Sequence, residues 1–202
     1  ALNLLLPKLK GKIIILSDGD VYVSKNSIKE ILKPFKNKNV GSVTGKPVSI
    51  NSRNNIFGYW SHLLCYAAHK VRLKRERKGK FLECSGYLWA FRNKQIKEIP
   101  REVAEDTIVP YLFWKKGYEI KYAPEAEVYV KYPLNLRDFI GQKKRTTKGH
   151  ETFSNYINIR EIPRMKSFKN EVLESYELFF YPKNFKEFFW TLLLFPLRLY
   201  IW

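Results

Sequence analysis

The spacing of apolar positions changes along the chain, and these changes predict alternating strands and helices. Residues 12–16 form a continuous apolar run rich in β-branched side chains, and the polar turn Ser17-Asp18-Gly19-Asp20 follows it. Such a run is typical of a buried strand. Residues 54–77 instead place apolar side chains at helical spacing, and 105–116 read as a helix that ends at Gly117. The alternation favours an α/β architecture.

Shorter elements are predicted between these segments. The pattern predicts a short helix ending at residue 33, an extended segment over 40–50, β-structure over 80–84 and 87–91, a short helix over 93–98, short strands over 119–122 and 127–131, and a basic helix or loop over 136–149.

The chain ends in an apolar stretch, 188–202, which contains only Thr191 and Arg198 as polar residues. It is shorter than the roughly 20 residues that span a bilayer. Its aromatic content suits a membrane interface or the start of a span. A terminal helix packed on the protein fits the same composition, and the sequence leaves these alternatives open.

The composition excludes a disordered chain and predicts an anionic partner. The 202 residues include 37 Lys and Arg against 19 Asp and Glu, a net charge of +18, and 16% are aromatic. Nucleic acid, a membrane surface or a phosphorylated substrate would fit this charge. Cys65 and Cys84 are too few for a disulfide framework, so we expect a reducing compartment.

Two acidic pairs are the first candidates for chemistry. Asp18 and Asp20, at the end of the predicted strand, can converge on a divalent cation and through it on a diphosphate. The same Asp-Gly step could be the tight turn of a hairpin. Glu105 and Asp106 begin a predicted helix, where a carboxylate is either an ordinary cap or a general base.

Basic and histidine-containing segments have less specific patterns. Gln142 and Arg145, with two lysines between them, suit a diphosphate leaving group, although a solvated basic face is the simpler interpretation. The denser run 70–80 is interpreted as a solvated or lipid-facing helix end. His62 and His69 lack a third ligand at a recognisable spacing, so a zinc site is improbable.

Four segments, taken in order, resemble the family 2 glycosyltransferases, which have the GT-A fold. The resemblance extends from residue 1 to about residue 149. Its segments are ALN followed by IIILSDGDVYV, then ECSGYLWAFRNKQI, then AEDTIVPYLFWKKGYEIKYAPEAEVYVKYP, then LRDFIGQKKRTTKG. They are similar to the family's DxD segment, its acceptor-side strand and turn, its ED motif, and its QxxRW segment.

The resemblance implies a role for each acidic residue. Asp18 and Asp20 would belong to the nucleotide-sugar and metal site, with Asp20 the direct ligand of Mg²⁺ or Mn²⁺. Asp106 would be the catalytic base that deprotonates the acceptor hydroxyl, and Glu105 would lie beside it. One acidic pair would therefore serve the metal and the other the proton.

The resemblance also implies roles for the remaining motif residues. Ser85 and Gly86 would lie on the acceptor side, and Gln142 and Arg145 would contact the diphosphate or the acceptor channel. Thr146 stands where the family motif has Trp, and this departure weakens the case for a processive, cellulose-synthase-like activity without deciding it.

The resemblance implies a fold and a reaction. We expect a GT-A-like mixed sheet flanked by helices and an inverting hexosyltransferase in polysaccharide biosynthesis, which moves a sugar from a nucleotide-diphosphate sugar to a glycan or lipid-linked acceptor. We expect it at the cytoplasmic face of the cell membrane, where the basic surface would meet anionic lipid and 188–202 would anchor it.

The resemblance predicts two regions: a catalytic portion at 1–150 and a helical extension at 151–202 that suits a membrane interface. The chain starts after the point where the family's first nucleotide-binding strands would end. We therefore expect the C-terminal part of a transferase, a fragment or one half of a split protein with an N-terminal half as partner. The strand at 13–16 should then have an unpaired edge.

Two other functions fit parts of the sequence. A haloacid-dehalogenase-like phosphatase would use Asp18 as its nucleophile, but it would have Thr or Val where this chain has Tyr22. A basic nucleic-acid-binding module would explain the charge and the aromatic residues, with non-specific, salt-dependent binding. It would leave the ordered acidic pairs unexplained, so no specific nucleic-acid partner is expected.

Overall fold

The computed structural model describes residues 2–100, 103–154, 165 and 175–201. Within them it shows a mixed α/β fold with one five-stranded sheet, as the sequence predicts. The strands are β1 (Ile13–Ser17), β2 (Tyr22–Val23), β3 (Val40–Ser49), β4 (Leu88–Arg92) and β5 (Glu119–Val130). The helices are α1 (Leu2–Leu5), α2 (Ser27–Leu32), α3 (Ile56–Arg77), α4 (Glu105–Lys115), α5 (Leu136–Ser154) and α6 (Phe185–Ile201), with short 3₁₀ turns at Leu6–Lys8, Lys33–Lys36 and Ser175–Phe180.

The strands lie in the order β1-β4-β3-β5-β2, with β3 and β5 parallel and the other neighbours antiparallel. Strand β1 is therefore at an edge, and no described strand pairs with its outer side. This agrees with the predicted open edge. The segment around Asp18 is not a hairpin, because Tyr22 and Val23 pair with β5 rather than with β1.

Helices and their side chains cover both faces of the sheet, as the burial of β4 shows. Its side chains alternate, so Leu88 and Ala90 pack with Val43 into one cluster, while Trp89 and Phe91 belong to the other. Helix α4 covers the face that contains the two aromatic rings, and α2 covers the opposite face. This double burial explains why four consecutive β4 residues are buried.

The predicted strands over 119–122 and 127–131 are one continuous strand, β5. Its pairing with β3 shifts register between Thr44 and Lys46, and this irregularity accommodates the intervening residues. Gly45 permits the close approach, because a Cβ there would lie 2.6 Å from the Ala126 carbonyl oxygen. The irregularity also tolerates Pro124, which cannot donate a backbone hydrogen bond.

Two other predicted elements are absent from the described structure. Residues 80–84 are not a strand, since the backbone N–H of Lys80 bonds the Arg75 carbonyl instead of a neighbouring strand. Residues 93–98 are not a helix. The Asn93 side chain donates to the Leu9 and Gly11 carbonyls, both at 2.8 Å, and Lys94 adopts φ +63°, so a turn replaces the helix.

The C-terminal helix α6 packs along α3 on one side and is open on the other. Tyr59 and Thr191 share a hydrogen bond between their hydroxyls at 2.6 Å, and Trp60 Nε1 donates to the Trp190 carbonyl at 2.7 Å. A stripe of apolar side chains stays exposed, which we call the α6 stripe: Phe185, Phe188, Phe189, Leu192, Leu193, Leu199 and Tyr200. No helix in the described part of the chain combines the length and apolar character needed to cross a bilayer.

A bidentate ion pair fixes α6 to the loop before α3. Arg53 donates from Nε to Glu187 Oε1 at 2.6 Å and from Nη2 to Oε2 at 2.8 Å, and its guanidinium lies 4.5 Å from the ring centroid of Tyr181. Glu187 is 6% exposed, so this pair is shielded from water.

The predicted region boundary at residue 150 falls inside α5, which continues to Ser154. Of the extension predicted over 151–202, residues 155–164, 166–174 and 202 lie outside the described residues.

Replacing Glu187 with Gln should lower the free energy of unfolding by about 1–3 kcal/mol at neutral pH, because Arg53 loses a charged partner. The hydrogen bond from Arg53 lowers the pKa of Glu187. Its contribution is therefore present above the usual Glu pKa and is lost as the pH falls through the lower, folded-state value. Urea unfolding at neutral pH and at about pH 3 should show the difference between wild type and variant shrinking in acid.

The control is Glu119→Gln, which removes a carboxylate from the exposed pair with Lys121 (N–O distance 2.9 Å). This change should leave the unfolding free energy nearly unchanged. An equal loss in both variants would show that the Arg53–Glu187 pair has no special contribution.

Candidate functional site

The pairing of β1 with β4 determines where Asp18 lies. Ser17, the last residue of β1, pairs with Leu88, the first residue of β4. The Ser17 hydroxyl also donates to the Tyr87 carbonyl at 3.0 Å. Since the strands are antiparallel, the residues after β1 lie beside the residues before β4. Asp18 is thereby held next to Gly86.

A proline brings the start of α4 to the same place. Pro110 lies inside α4 and has no N–H, so the carbonyl of Asp106, four residues earlier, receives no helical hydrogen bond from it. The backbone N–H of Cys84 donates to that carbonyl at 3.0 Å. The first turn of α4 is thus attached to the loop before β4.

The two acidic pairs therefore converge at Gly86. A Cβ placed on Gly86 would lie 3.3 Å from Asp106 Oδ2 and 4.0 Å from Asp18 Oδ2. These carboxylates come from positions far apart in the sequence and face one point. A side chain larger than that of glycine would fill the space between them. The neighbouring Ser85 is buried, and its N–H donates to Thr44 Oγ1 at 2.9 Å, so the loop is held against β3.

The carboxylates at Gly86 raise the local negative charge. The pKa of Asp18 is raised. Partial burial is the largest cause, and the negative charges of Asp20 and Glu105 raise this pKa further. Asp18, Asp20 and Glu105 are exposed, and Asp106 is half-buried. Glu105 and Asp106 lie in the first turn of α4, but the N-cap residue is Ala104 and no side chain caps this helix. The local negative charge therefore suits a cation.

The residues present suit a hard divalent cation with ligands from elsewhere. Among the described residues, no three His, Cys, Asp or Glu side chains are arranged to hold a metal ion. Asp18 and Asp20 offer carboxylate oxygens, which Mg²⁺ and Mn²⁺ prefer. A cation bound by two carboxylates keeps coordination positions for diphosphate oxygens and water.

In the described part of the chain, the motif residues on α5 are not bonded to these carboxylates. Neither Gln142 nor Arg145 makes a hydrogen bond or ion pair with the acidic pairs within the described residues, and Arg145 is exposed. Gln142 Oε1 is buried and has no hydrogen-bond partner there. Such an acceptor costs free energy unless a donor reaches it, so the side chain suits a ligand hydroxyl.

Tyrosines connect α5 with the site, and the sequence analysis missed them. The rings of Tyr87 and Tyr132 pack edge to face with centroids 6.0 Å apart, and Lys143 Nζ lies 6.0 Å from the Tyr132 centroid. Burial raises the pKa of Tyr87 to about 12, and the charges of Asp18 and Asp20 act in the same direction. The feature of the sequence that could have identified Tyr87 is its position directly after Gly86.

The basic run 70–80 is only partly the solvated helix end that was predicted. Arg72 and Arg75 are 3% and 7% exposed, so they lie on the inner face of α3. His62 and His69 bond the Asn51 carbonyl and the Tyr122 hydroxyl respectively, both at 2.8 Å.

Comparison with known proteins finds glycosyltransferases. An N-acetylglucosaminyltransferase of Azorhizobium caulinodans is 23% identical over 153 residues, which are 67% of this chain and 37% of that protein. A mannosyltransferase of Pyrobaculum calidifontis, solved with GDP-Man and Mn²⁺, superposes with a TM-score of 0.59 at 16% identity. The match covers 95% of this chain and 51% of that one, so the chain spans about half or less of these relatives.

The structural similarity shows a shared fold, and the sequence itself matches a family model over most of its length. The family model described as Glycosyl transferase family group 2 matches residues 13–202, and the chain therefore belongs to this family.

Proposed function

We propose that the protein takes part in transferring a hexosyl group from a nucleotide-diphosphate sugar to a hydroxyl of a glycan or lipid-linked acceptor, with inversion at the anomeric carbon. The observation that supports this most is the convergence of Asp18 and Asp106 at Gly86. Asp18 and Asp20 suit the binding of a metal ion and, through it, the donor's diphosphate. Glu105 and Asp106 suit the removal of the acceptor's proton. The relatives' names, an N-acetylglucosaminyltransferase and a mannosyltransferase, are consistent with transfer of a hexose-type sugar.

On the donor side, Asp18 and Asp20 would hold Mg²⁺ or Mn²⁺, with Asp20 as the direct ligand. The cation supplies positive charge that stabilises the leaving nucleoside diphosphate. The Mn²⁺ and GDP-Man in the structural neighbour support this assignment. Burial raises the pKa of Asp18 most, and the charges of Asp20 and Glu105 raise it further. A bound cation would offset the part that comes from these charges.

On the acceptor side, Asp106 would be the general base. The Thr107 hydroxyl donates to Asp106 Oδ1 at 3.3 Å, while Oδ2 faces Gly86. An acceptor hydroxyl beside Gly86 would give its proton to Oδ2 as its oxygen bonds the anomeric carbon and the bond to the diphosphate breaks. Ser85 and Gly86 would line this side, with Glu105 next to the base.

Helix α5 would complete the binding of substrate. The buried, unpartnered Oε1 of Gln142 would accept a hydrogen bond from a ligand hydroxyl, and the exposed Arg145 would approach the diphosphate or the acceptor channel. The open edge of β1 is a surface that favours strand pairing with another segment.

We further propose that the protein works at the cytoplasmic face of a membrane and lies against anionic lipid through the α6 stripe. The stripe includes Phe185 at 84% exposure and Leu199 at 59%, a large apolar surface to leave in water. The net charge of +18 and nearby cations such as Lys186 and Arg198 complement anionic headgroups. Family membership favours the transferase over the phosphatase and over a nucleic-acid-binding module.

The donor site is tested with Asp20→Asn. Calorimetric titration of GDP and UDP at about 150 mM salt should show Mn²⁺-dependent binding to the wild-type chain and its loss in the variant, because one ligand of the cation is removed. Asp138→Asn, which makes the same change on α5, should bind as wild type. Equal binding by the Asp20 variant would exclude the metal assignment.

The base is tested separately with Asp106→Asn. Transfer by the longest natural form of the protein should fall by at least about 100-fold, while Mn²⁺-dependent nucleotide binding stays unchanged. Radiolabelled sugar incorporation measures the first quantity and calorimetry the second. Transfer at the wild-type rate would exclude Asp106 as the base.

The membrane interaction is tested with Phe189→Asp on the α6 stripe. Co-sedimentation with phosphatidylcholine vesicles containing phosphatidylserine should weaken about tenfold or more, because an aromatic ring no longer enters the interface. Leu4→Asp is the matched control, since Leu4 is 75% exposed on α1 and lies outside the stripe. Equal loss in both variants would contradict a docking role for α6.

A further inference from the structure

A cleft of about 320 Å³ lies where α3 and α4 end and β5 begins, and we call it the distal cleft. Its volume is within the range of small-ligand pockets, roughly 300–1,000 Å³. Its lining includes Glu76, Lys80, Trp114, Tyr118, Glu119 and Lys121.

The distal cleft lies at the end of the sheet remote from Gly86. Glu119, at the start of β5, pairs with Val40, at the start of β3. Since β3 and β4 are antiparallel, the start of β3 lies beside the end of β4, whereas Gly86 lies before the start of β4. Helix α4 is about 16 Å long, with Asp106 in its first turn and Trp114 in its last. The cleft is therefore separate from the acidic site.

Two aromatic rings form the apolar part of the distal cleft. Trp114 packs edge to face on Phe81 with ring centroids 5.8 Å apart, and Tyr118 packs in the same way on Phe113 at 5.4 Å. Both rings pack against the core and stay partly exposed. Because the core already holds these rings, a ligand that packs on them pays little for ordering them.

Two glycines keep the cleft from being filled at the ends of the helices that border it. Gly79, after α3, and Gly117, after α4, line the cleft and have φ +57° and +81°, a conformation common where helices end. A Cβ on either glycine would meet no described atom within 4 Å. Open space therefore remains beside both.

The polar groups of the distal cleft have unused hydrogen-bonding capacity. Within the described residues, the indole N–H of Trp114 and the ammonium of Lys80 have no hydrogen-bond partner. Glu119 Oε2 is paired with Lys121 at 2.9 Å, and Glu76 Oε1 accepts from a backbone N–H of β5 at 3.0 Å. In the same part of the chain, the other oxygen of each carboxylate is unpaired. The cleft thus offers donors and acceptors together.

The charges that line the cleft balance, although the molecule as a whole carries +18. Two carboxylates stand against two ammonium groups, so these groups give an anion no net attraction. A neutral ligand with several hydroxyls can use the donors and the acceptors alike. A pyranose ring has such hydroxyls at its edge, and it has a face of C–H groups that packs on an aromatic ring.

We propose that the distal cleft binds one pyranose residue of a neutral glycan, with the ring face against Trp114 or Tyr118 and the hydroxyls on the charged groups. The binding does not depend on the chemistry proposed at Gly86. A glycan bound there would stay attached to the protein through a residue remote from the acidic site. That consequence, unlike the binding itself, rests on the proposed function.

The test follows the indole N–H signals of the ¹⁵N-labelled whole chain by NMR while methyl glycosides are added. The probes are the methyl glycosides of glucose, mannose and N-acetylglucosamine. Trp114→Phe assigns the Trp114 signal among those of the five tryptophans by its absence. We expect at least one glycoside to shift this signal saturably, with a dissociation constant in the millimolar range. No saturable shift with any of the three would overturn the proposal.

Two variants locate the sugar while Trp114 stays in place as the probe. Tyr118→Leu removes a ring from the cleft, and Lys80→Ala removes a donor from its exposed rim, so we expect affinity to fall about tenfold and about threefold respectively. The matched controls are Tyr22→Leu, 71% exposed on β2, and Lys78→Ala on the same loop as Lys80, and both should bind as wild type.

A loss of affinity in either cleft variant, with its control unchanged, supports the proposal. The Lys80 variant keeps the test decisive if Tyr118→Leu does not fold, because the Lys80 side chain is exposed. Wild-type affinity in every folded cleft variant, or the same loss in the controls, would place the sugar elsewhere and overturn the proposal.

Two further titrations test the ligand class and the independence of the cleft. Inorganic phosphate should not displace the glycoside, and displacement would overturn the choice of a neutral ligand. Asp106→Asn should leave the shift of Trp114 unchanged, and its loss would place the sugar at the acidic site instead. Failure of the glycosyltransferase proposal would appear as absent Mn²⁺-dependent nucleotide binding in wild type, with the sugar-induced shift of Trp114 still present.

Discussion

The hydrogen bond from the Cys84 N–H to the Asp106 carbonyl joins two parts of the chain on which the acidic site depends. It exists because Pro110 has no N–H to satisfy that carbonyl within α4. A backbone contact therefore positions the start of the helix. Together with the pairing of Ser17 and Leu88, it brings Asp18, which follows β1, and Asp106, in the first turn of α4, to a single glycine.

The molecule keeps like charges close together after β1, and a well-packed sheet makes this tolerable. Carboxylates gather at Gly86. Their mutual repulsion lowers the stability of the isolated fold, and the burial of rings such as Trp89 and Phe91 offsets that loss. Uncompensated charge in a stable protein is typical of surfaces that act on ligands rather than of structural contacts.

The sequence predicted what depends on local pattern and missed what depends on distant contacts. The α/β class, the strand before Asp18, the long α3 and the family were confirmed. The helix at 93–98 was wrong because Asn93 bonds carbonyls more than 80 positions earlier in the sequence. Arg72 could not be assigned to the interior, since a basic run is usually solvated. The roles of the motif residues remain predictions, although the convergence of their carboxylates at Gly86 supports them.

The position of β1 at the sheet edge has a consequence for how the site is controlled. An edge strand has hydrogen-bonding groups open to solvent and separates from its sheet at a lower free energy than a central strand. Asp18 follows directly after this strand, so the carboxylates proposed to hold the metal are attached to an edge of the sheet. A segment that pairs with β1 would suppress this local opening of the sheet. The affinity of the proposed donor site would then depend on whether such a segment is paired with the edge.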